Sequence, residues 1–141
     1  MTIKNMHKKQ WSDRNLKIGE MAVDNLGEEN NLLNIAITDE NESVRVETVE
    51  KINNPEILSF IAKNSEHLFF AETAMMKIDD EDILTDIAKN SKNYYIRAQT
   101  VKRITNTTIL TDIAKNDPHV SVRAKAVIRI DYLYLLSIST N

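Results

Sequence analysis

Apolar positions recur along this chain at a fixed spacing of 26 residues. A five-residue segment with Leu first, Ile fourth and Ala fifth begins at Leu32, Leu58, Leu84 and Leu110. Self-similarity at a constant period of this size is typical of stacked repeat proteins, in which each unit buries its apolar side against its neighbours. The period therefore predicts four consecutive units over residues 28–131.

Within each unit the apolar spacing is helical. The positions i, i+4, i+5 and i+8 form one face of an α-helix. These positions hold Val44, Thr48, Val49, Ile52; Phe70, Ala74, Met75, Ile78; Ile96, Thr100, Val101, Ile104; and Val122, Ala126, Val127, Ile130. The whole chain has only two glycines and two prolines, which suits helices. Each unit is predicted to be a short first helix, a turn and a longer second helix.

We therefore predict an all-α fold, a right-handed α-solenoid of about four and a half helix-turn-helix units in a single domain over residues 1–141. Apolar residues between 18 and 26 match the second-helix pattern, so residues 1–27 are predicted to be a degenerate N-terminal cap. Residues 132–141 are predicted to be a truncated C-terminal cap, because Leu135 and Leu136 match Ile109 and Leu110. This apolar end either folds back as a lid or pairs with another chain in a homodimer.

Helix starts are also predicted by the pattern. Asn54, Asp80 and Asn106 share one column and are good N-cap residues for the first helices. For the second helices the candidate caps are Asp39, Ser65, Ser91 and Asp117. Pro118, directly after Asp117, fits the first position of a helix, where its missing N–H has no cost.

The segment from Asp117 to Val127, followed by Ile130, resembles the second helix of HEAT-like repeats. The pairs Val44-Arg45 and Ile96-Arg97 repeat the apolar residue followed by arginine that occurs in this segment at Val122-Arg123. The chain is also similar to the leucine-rich repeat variant family, although it has no cysteine for the iron–sulfur cluster of some of its members. The resemblance covers residues 28–136, with units of 26 residues instead of about 40 or more. It implies a curved two-layer solenoid with second helices on the concave side, and the binding of proteins or, in some branches, nucleic acid.

Composition narrows the function classes. The absence of cysteine excludes disulfides, thiolate metal sites and cysteine nucleophiles. No stretch approaches the roughly 20 apolar residues of a membrane span, and the basic N-terminus has no apolar run behind it, so we expect a cytoplasmic protein without membrane contact. Residues 20–82 hold 16 acidic and four basic residues, whereas residues 83–141 hold nine basic and four acidic residues. This asymmetry can steer a charged partner, but solvated helix faces with uneven charge are the favoured interpretation.

No metal or cofactor is expected. His67 and His119 share one column but lie two units apart, which is about 20 Å for packed helices. One metal ion needs its ligands at about 2 Å. Two glycines in the chain do not make a nucleotide-binding loop.

Arginine recurs on the apolar arc of the second helices, at Arg45, Arg97 and Arg123. An arginine in this position needs a partner, because an unpaired buried charge is costly. Acidic residues lie eleven positions before Arg97 and Arg123, so the predicted structural ion pairs are Asp86 with Arg97 and Asp112 with Arg123. Asp117 is the alternative partner of Arg123.

The opposite face of the second helices carries the candidate binding site. Its residues are Phe69, Met76, Tyr95, Gln99, Lys102, Lys125 and Ile128. Aromatic residues and methionine are enriched at binding hot spots, and Glu47 and Glu50 make one side of this face acidic. The alternative is that Phe69 tips into the neighbouring helix and fills a gap left by Ala71.

The leading hypothesis is therefore a non-enzymatic module that binds a protein or peptide on its second-helix face. Lys102 and Lys125 would select the partner electrostatically. The alternative is nucleic-acid binding through the basic C-terminal units, with phosphate contacts from Lys102, Arg103, Lys115, Lys125 and Arg129. The acidic overall charge disfavours this alternative. A HEAT-like lyase or DNA-repair enzyme comes last, because no nucleophile or acid–base pair is recognisable.

Overall fold

The computed structural model of the protein describes Leu32, Leu33 and residues 41–139. Every regular element in this part of the chain is an α-helix, which confirms the all-α class. The seven complete helices are α1 (Glu42–Glu50), α2 (Pro55–Asn64), α3 (Leu68–Met76), α4 (Glu81–Asn90), α5 (Tyr94–Val101), α6 (Thr107–Asn116) and α7 (Val120–Ser139). The predicted N-terminal cap, residues 1–27, lies outside the described residues, as does the proposed cap Asp39.

The helices pack in a regular pattern. Each first helix packs against the second helix that follows it, in the pairs α2 with α3, α4 with α5 and α6 with α7. The second helices also contact one another in chain order, α1 with α3, α3 with α5 and α5 with α7, and α2 packs on α4. Successive units are thus joined mainly through their second helices.

The predicted N-caps of the first helices are confirmed. The Asn54 Oδ1 atom accepts from the backbone N–H groups of Glu56 and Ile57 at 2.9 and 3.1 Å. Asp80 and Asn106 make the same pair of hydrogen bonds at the starts of α4 and α6. Each side chain satisfies two of the helix's otherwise unpaired amide groups.

The predicted starts of the second helices are wrong by two residues. Ser65, Ser91 and Asp117 are the C-cap residues of the preceding first helices and do not begin the second helices, and Pro118 lies in the turn. Their side chains accept from the N–H two residues later, for example that of His67 at 3.1 Å. They therefore shape the turn, and the N-cap position lies two residues later, for example at Asn93, whose side chain accepts from the Tyr95 N–H at 2.8 Å.

This shift also reverses the expected helix lengths. The first helices α2, α4 and α6 have ten residues each, whereas α1, α3 and α5 have eight or nine. Only α7, with 20 residues, is longer than its first helix.

The core follows the columns that the sequence pattern identified. Val49, Met75 and Val101 occupy one column of the second helices, and none has any exposed surface. Val127 holds the same position in α7 but is 49% exposed. The buried side of each second helix is therefore covered by the next unit, and α7 has no next unit in the described chain.

Residues 132–139 do not fold back as a lid. Helix α7 runs without a break through the position where the earlier second helices stop. The column of Asn54, Asp80 and Asn106 holds Tyr132 at this point, which has no side-chain acceptor suited to start a new helix. The segment predicted as a half unit therefore extends α7, and Tyr134, Leu135 and Ile138 are exposed.

Candidate functional site

The predicted partners of the arginines are wrong. Arg97 is buried and forms a bidentate ion pair with Asp117, with Nε to Oδ2 at 2.9 Å and Nη2 to Oδ1 at 3.2 Å. Its Nη1 also donates to the Ser91 carbonyl at 2.9 Å. The pair joins α5 to the turn between α6 and α7. The sequence signal was the replacement of the serine at Ser65 and Ser91 by the acidic Asp117 at the same position of the next unit.

Arg123 does not contact Asp112. Its Nη1 atom donates to the backbone carbonyl of Asp117 at 2.8 Å. This repeats the contact between Arg97 and Ser91, since both arginines reach a carbonyl six residues earlier. The alternative prediction, that Arg123 contacts Asp117, is confirmed for the residue. The contact is to the backbone carbonyl instead of the carboxylate, because Arg97 already holds the carboxylate.

Asp86 and Asp112 instead pair with lysines of the preceding first helix. Lys63 lies 2.7 Å from Asp86, and Lys89 lies 2.8 Å from Asp112. Both carboxylates are about half exposed between consecutive first helices, away from the buried arginines. Burial raises the pKa of Asp86, but hydrogen bonds from Lys63 and Asn90 outweigh it, so the pKa lies below its ordinary value. The hydrogen bond from Lys89 is the main cause of the lowered pKa of Asp112.

A second basic column, which the sequence analysis did not recognise, caps the second helices. Arg103 donates to the carbonyls of Met75 and Ile78 at 2.8 and 2.6 Å, and Arg129 donates to Ile104 at 2.9 Å. Lys77 contacts the carbonyls at the end of α1 in the same way. These cations satisfy backbone carbonyls at the end of the preceding second helix, where the helix dipole favours positive charge. The signal was a basic residue every 26 positions.

The candidate binding face is exposed. Phe69 is 65% exposed, Met76 58%, Ile128 59% and Tyr95 37%. The alternative in which Phe69 fills a gap beside Ala71 is wrong, because Ala71 is itself almost fully buried and Phe69 faces solvent. The second helices that carry these side chains are neighbours, since α3 packs on α5 and α5 on α7.

An open groove of about 380 Å³ lies on this face between α1 and α3. Phe69 and Thr73 line one wall. The other wall contains Val46 and three glutamates, which are Glu42, Glu47 and Glu50. The groove therefore combines an apolar surface with a negatively charged edge.

The basic side of the face is two helices away. Lys102 is exposed, and its Nζ donates to the Gln99 Oε1 at 3.1 Å, which brings these two candidate residues together on α5. Lys125 on α7 is half-buried. The structure does not bring Lys125 into contact with Lys102 or Gln99 through any hydrogen bond.

Glu81 makes a further link between units. Its carboxylate accepts from the N–H and hydroxyl of Thr105 and from the N–H of Asn106. The backbone hydrogen bond from Thr105 is the main cause that lowers the pKa of Glu81. This carboxylate is therefore part of the unit-to-unit contact.

Within the described residues, no group of three or more His, Asp or Glu side chains is placed to hold a metal ion. The same part of the chain contains no helix with the length and apolar character needed to cross a bilayer. Cytoplasmic location remains a prediction.

Comparisons with protein-family models, with curated proteins and with solved structures found nothing that matches this chain.

Proposed function

We propose that the chain is a short HEAT-like α-solenoid whose second-helix face binds a protein or peptide partner. The observation that carries the proposal is the exposure of Phe69 and Met76 beside the acidic groove between α1 and α3. Clustered exposed apolar side chains on a regular scaffold are typical of interaction surfaces. The 26-residue repetition and the contacts between successive second helices support the solenoid architecture.

The charges on this face indicate what kind of segment would bind. Glu42, Glu47 and Glu50 lie on α1, whereas Lys102 follows the last residue of α5 and Lys125 lies on α7. A complementary peptide would place basic residues in the groove and acidic residues towards α7, with apolar side chains against Phe69 and Tyr95. Complementary charges of this kind contribute mainly to partner choice and association rate.

The test is selection of ligands from a randomised peptide library with the wild-type chain. Selected peptides should be basic at one end, and the double variant Phe69→Ala/Tyr95→Ala should bind them at least about thirtyfold more weakly, as expected when hot-spot side chains are removed. Calorimetric titration measures the affinities. Tyr134→Ala is the matched control, because Tyr134 is an exposed aromatic residue on the opposite side of α7 from Lys125, and it should leave the affinity unchanged.

Two results contradict the proposal. One is a selected peptide that binds the double variant as tightly as the wild type. The other is a library selection that enriches nothing.

The nucleic-acid alternative has less support. Two of its five proposed phosphate-binding residues, Arg103 and Arg129, already hold backbone carbonyls of the neighbouring unit. A mobility-shift assay with DNA and RNA at increasing salt separates the two, because phosphate contacts give a steep salt dependence. The enzyme alternative has no residue assigned to it.

A further inference from the structure

Helix α7 has an exposed stripe along its whole length that is apolar except for Asp131. The stripe consists of Val120, Ala124, Val127, Asp131, Tyr134 and Ile138, all of which are exposed. Their spacing alternates between four and three residues, which is the heptad pattern of helices that pack side by side. At 1.5 Å per residue the stripe is about 27 Å long. Ile128 and Leu135, also exposed, lie along one edge of it.

In the preceding unit, the equivalent positions on α5 pack against the second helix of the next unit. Tyr94, Ala98 and Val101 are the α5 equivalents of Val120, Ala124 and Val127. Helix α7 packs against α5, Ala98 and Val101 are buried, and the Tyr94 ring stacks on His119 with 3.8 Å between centroids. The stripe on α7 thus continues an interface that α5 uses for another second helix.

We infer that α7 packs against α7 of a second copy of this chain and forms a closed, two-fold symmetric dimer. Six large apolar residues on and beside the stripe are 49–64% exposed. Since a fully buried aromatic side chain covers about 150–250 Å², each offers on the order of 100 Å² and the six about 600 Å² per copy. A standard stable interface needs about 800 Å² per partner, and the two copies together exceed the roughly 1,000 Å² expected of a specific contact. The stripe shares only Ile128, at its edge, with the proposed peptide site, and the variants that test the dimer lie outside that site, so either proposal can fail without the other.

The sequence of the stripe favours an antiparallel arrangement. In a parallel pair, Asp131 would face Asp131 of the second copy, and like charges would repel. In an antiparallel pair centred near residue 129, Val120 lies opposite Ile138, and small Ala124 lies opposite large Tyr134. Asp131 then faces Val127 of the second copy, one helical turn from Arg123, which offers an opposite charge. An isologous contact of this kind closes after two copies.

Sedimentation equilibrium of the full chain at several concentrations tests the dimer. We expect a species of twice 16.2 kDa. The double variant Tyr134→Glu/Ile138→Glu should raise the dissociation constant at least about a hundredfold, because it places charges in an apolar contact. The matched control Tyr132→Glu/Leu136→Glu introduces the same charge in the same segment, off the stripe, and should remain dimeric. Far-UV circular dichroism confirms that both variants keep their helix content.

Disulfide trapping tests the orientation, since the chain has no cysteine of its own. A mixture of the Ala124→Cys and Tyr134→Cys variants should form the mixed disulfide under mild oxidation, and Ala124→Cys alone should not, because its two copies are about 15 Å apart in an antiparallel pair. The inference is overturned by a monomer at every concentration, by assemblies that grow beyond two copies, by equal dissociation of both double variants, or by efficient self-linking of Ala124→Cys.

Discussion

Helices α5 and α7 hold equivalent positions in consecutive units and share most of their pattern of apolar residues, yet they have different structural roles. Helix α5 is eight residues long, ends before Asn106, and is covered by α7. Helix α7 runs for 20 residues, and the side that corresponds to the covered side of α5 is exposed. The comparison teaches that a repeated sequence specifies the helix, whereas the neighbouring unit decides whether its apolar side becomes core or surface.

The arginines of the two helices give the largest expected difference. Arg97→Ala should lower the free energy of unfolding by about 3–5 kcal/mol, because it leaves the Asp117 carboxylate buried without its cation. Arg123→Ala should cost about 1 kcal/mol, since it removes one hydrogen bond from a half-buried side chain. Urea denaturation measures both, and equal losses would contradict the distinction between the two positions.

The second largest difference in stability is expected between Val101 and Val127, which hold equivalent positions on α5 and α7. Val101→Ala removes buried methyl groups and should cost about 2 kcal/mol, from lost burial and the cavity that remains. Val127→Ala should cost less than about 0.5 kcal/mol when the protein is dilute and monomeric. If the proposed dimer forms, the effect of Val127→Ala should grow with protein concentration while that of Val101→Ala should not.

Substitutions in the column that holds the N-caps of the first helices should change the stability less, and one of them should also change the length of a helix. Asn106→Ala should cost about 1 kcal/mol, because two N–H groups at the start of α6 lose their acceptor. The reciprocal change, Tyr132→Asn, supplies an acceptor in the same column and should shorten α7. Backbone chemical shifts then report an interruption of the helix near residue 131, and an unbroken helix through Tyr134 would show that the cap residue does not decide the length of α7.

The smallest effect is expected on the pH dependence of stability, through Glu81. The pKa of Glu81 is lowered in the folded protein, mainly by the Thr105 hydrogen bond. Because the pKa of Glu81 is lower in the folded protein than its unfolded value of 4.5, the ionised carboxylate stabilises the fold above pH 4.5. This contribution to stability is lost as the pH falls from 4.5 through the folded-state pKa. Glu81→Gln should therefore flatten the stability profile below about pH 4.5, by less than about 1 kcal/mol since the carboxylate is only partly buried and solvent screens it. Asp82→Asn is the control, because it removes a neighbouring charge without touching Thr105, and an equal change in both variants would contradict the assignment.

Most of the local structure was predictable from the sequence. The helical columns and the first-helix caps at Asn54, Asp80 and Asn106 were right because they depend on contacts within one turn of chain. The second-helix caps were misplaced because Ser65 and Asp117 suit both a cap and a turn, and the choice between them depends on where the preceding helix ends.

The candidate face was partly predictable. The exposure of Phe69, Met76 and Ile128 followed from helical geometry and agrees with the structure. The groove between α1 and α3 did not follow, since its shape depends on how two helices from different units approach each other.

The sequence by itself determined the repeating unit, the helices and the side of each helix that is apolar, because these depend on short-range periodicity and on single capping residues. Only the tertiary structure decided the charge partners. Arg97 reaches Asp117, and Arg103 reaches the end of α3, because side chains 20 to 28 residues apart meet when one unit packs on the next. Burial at each column was decided in the same way, since an apolar side chain is excluded from water only where another unit covers it.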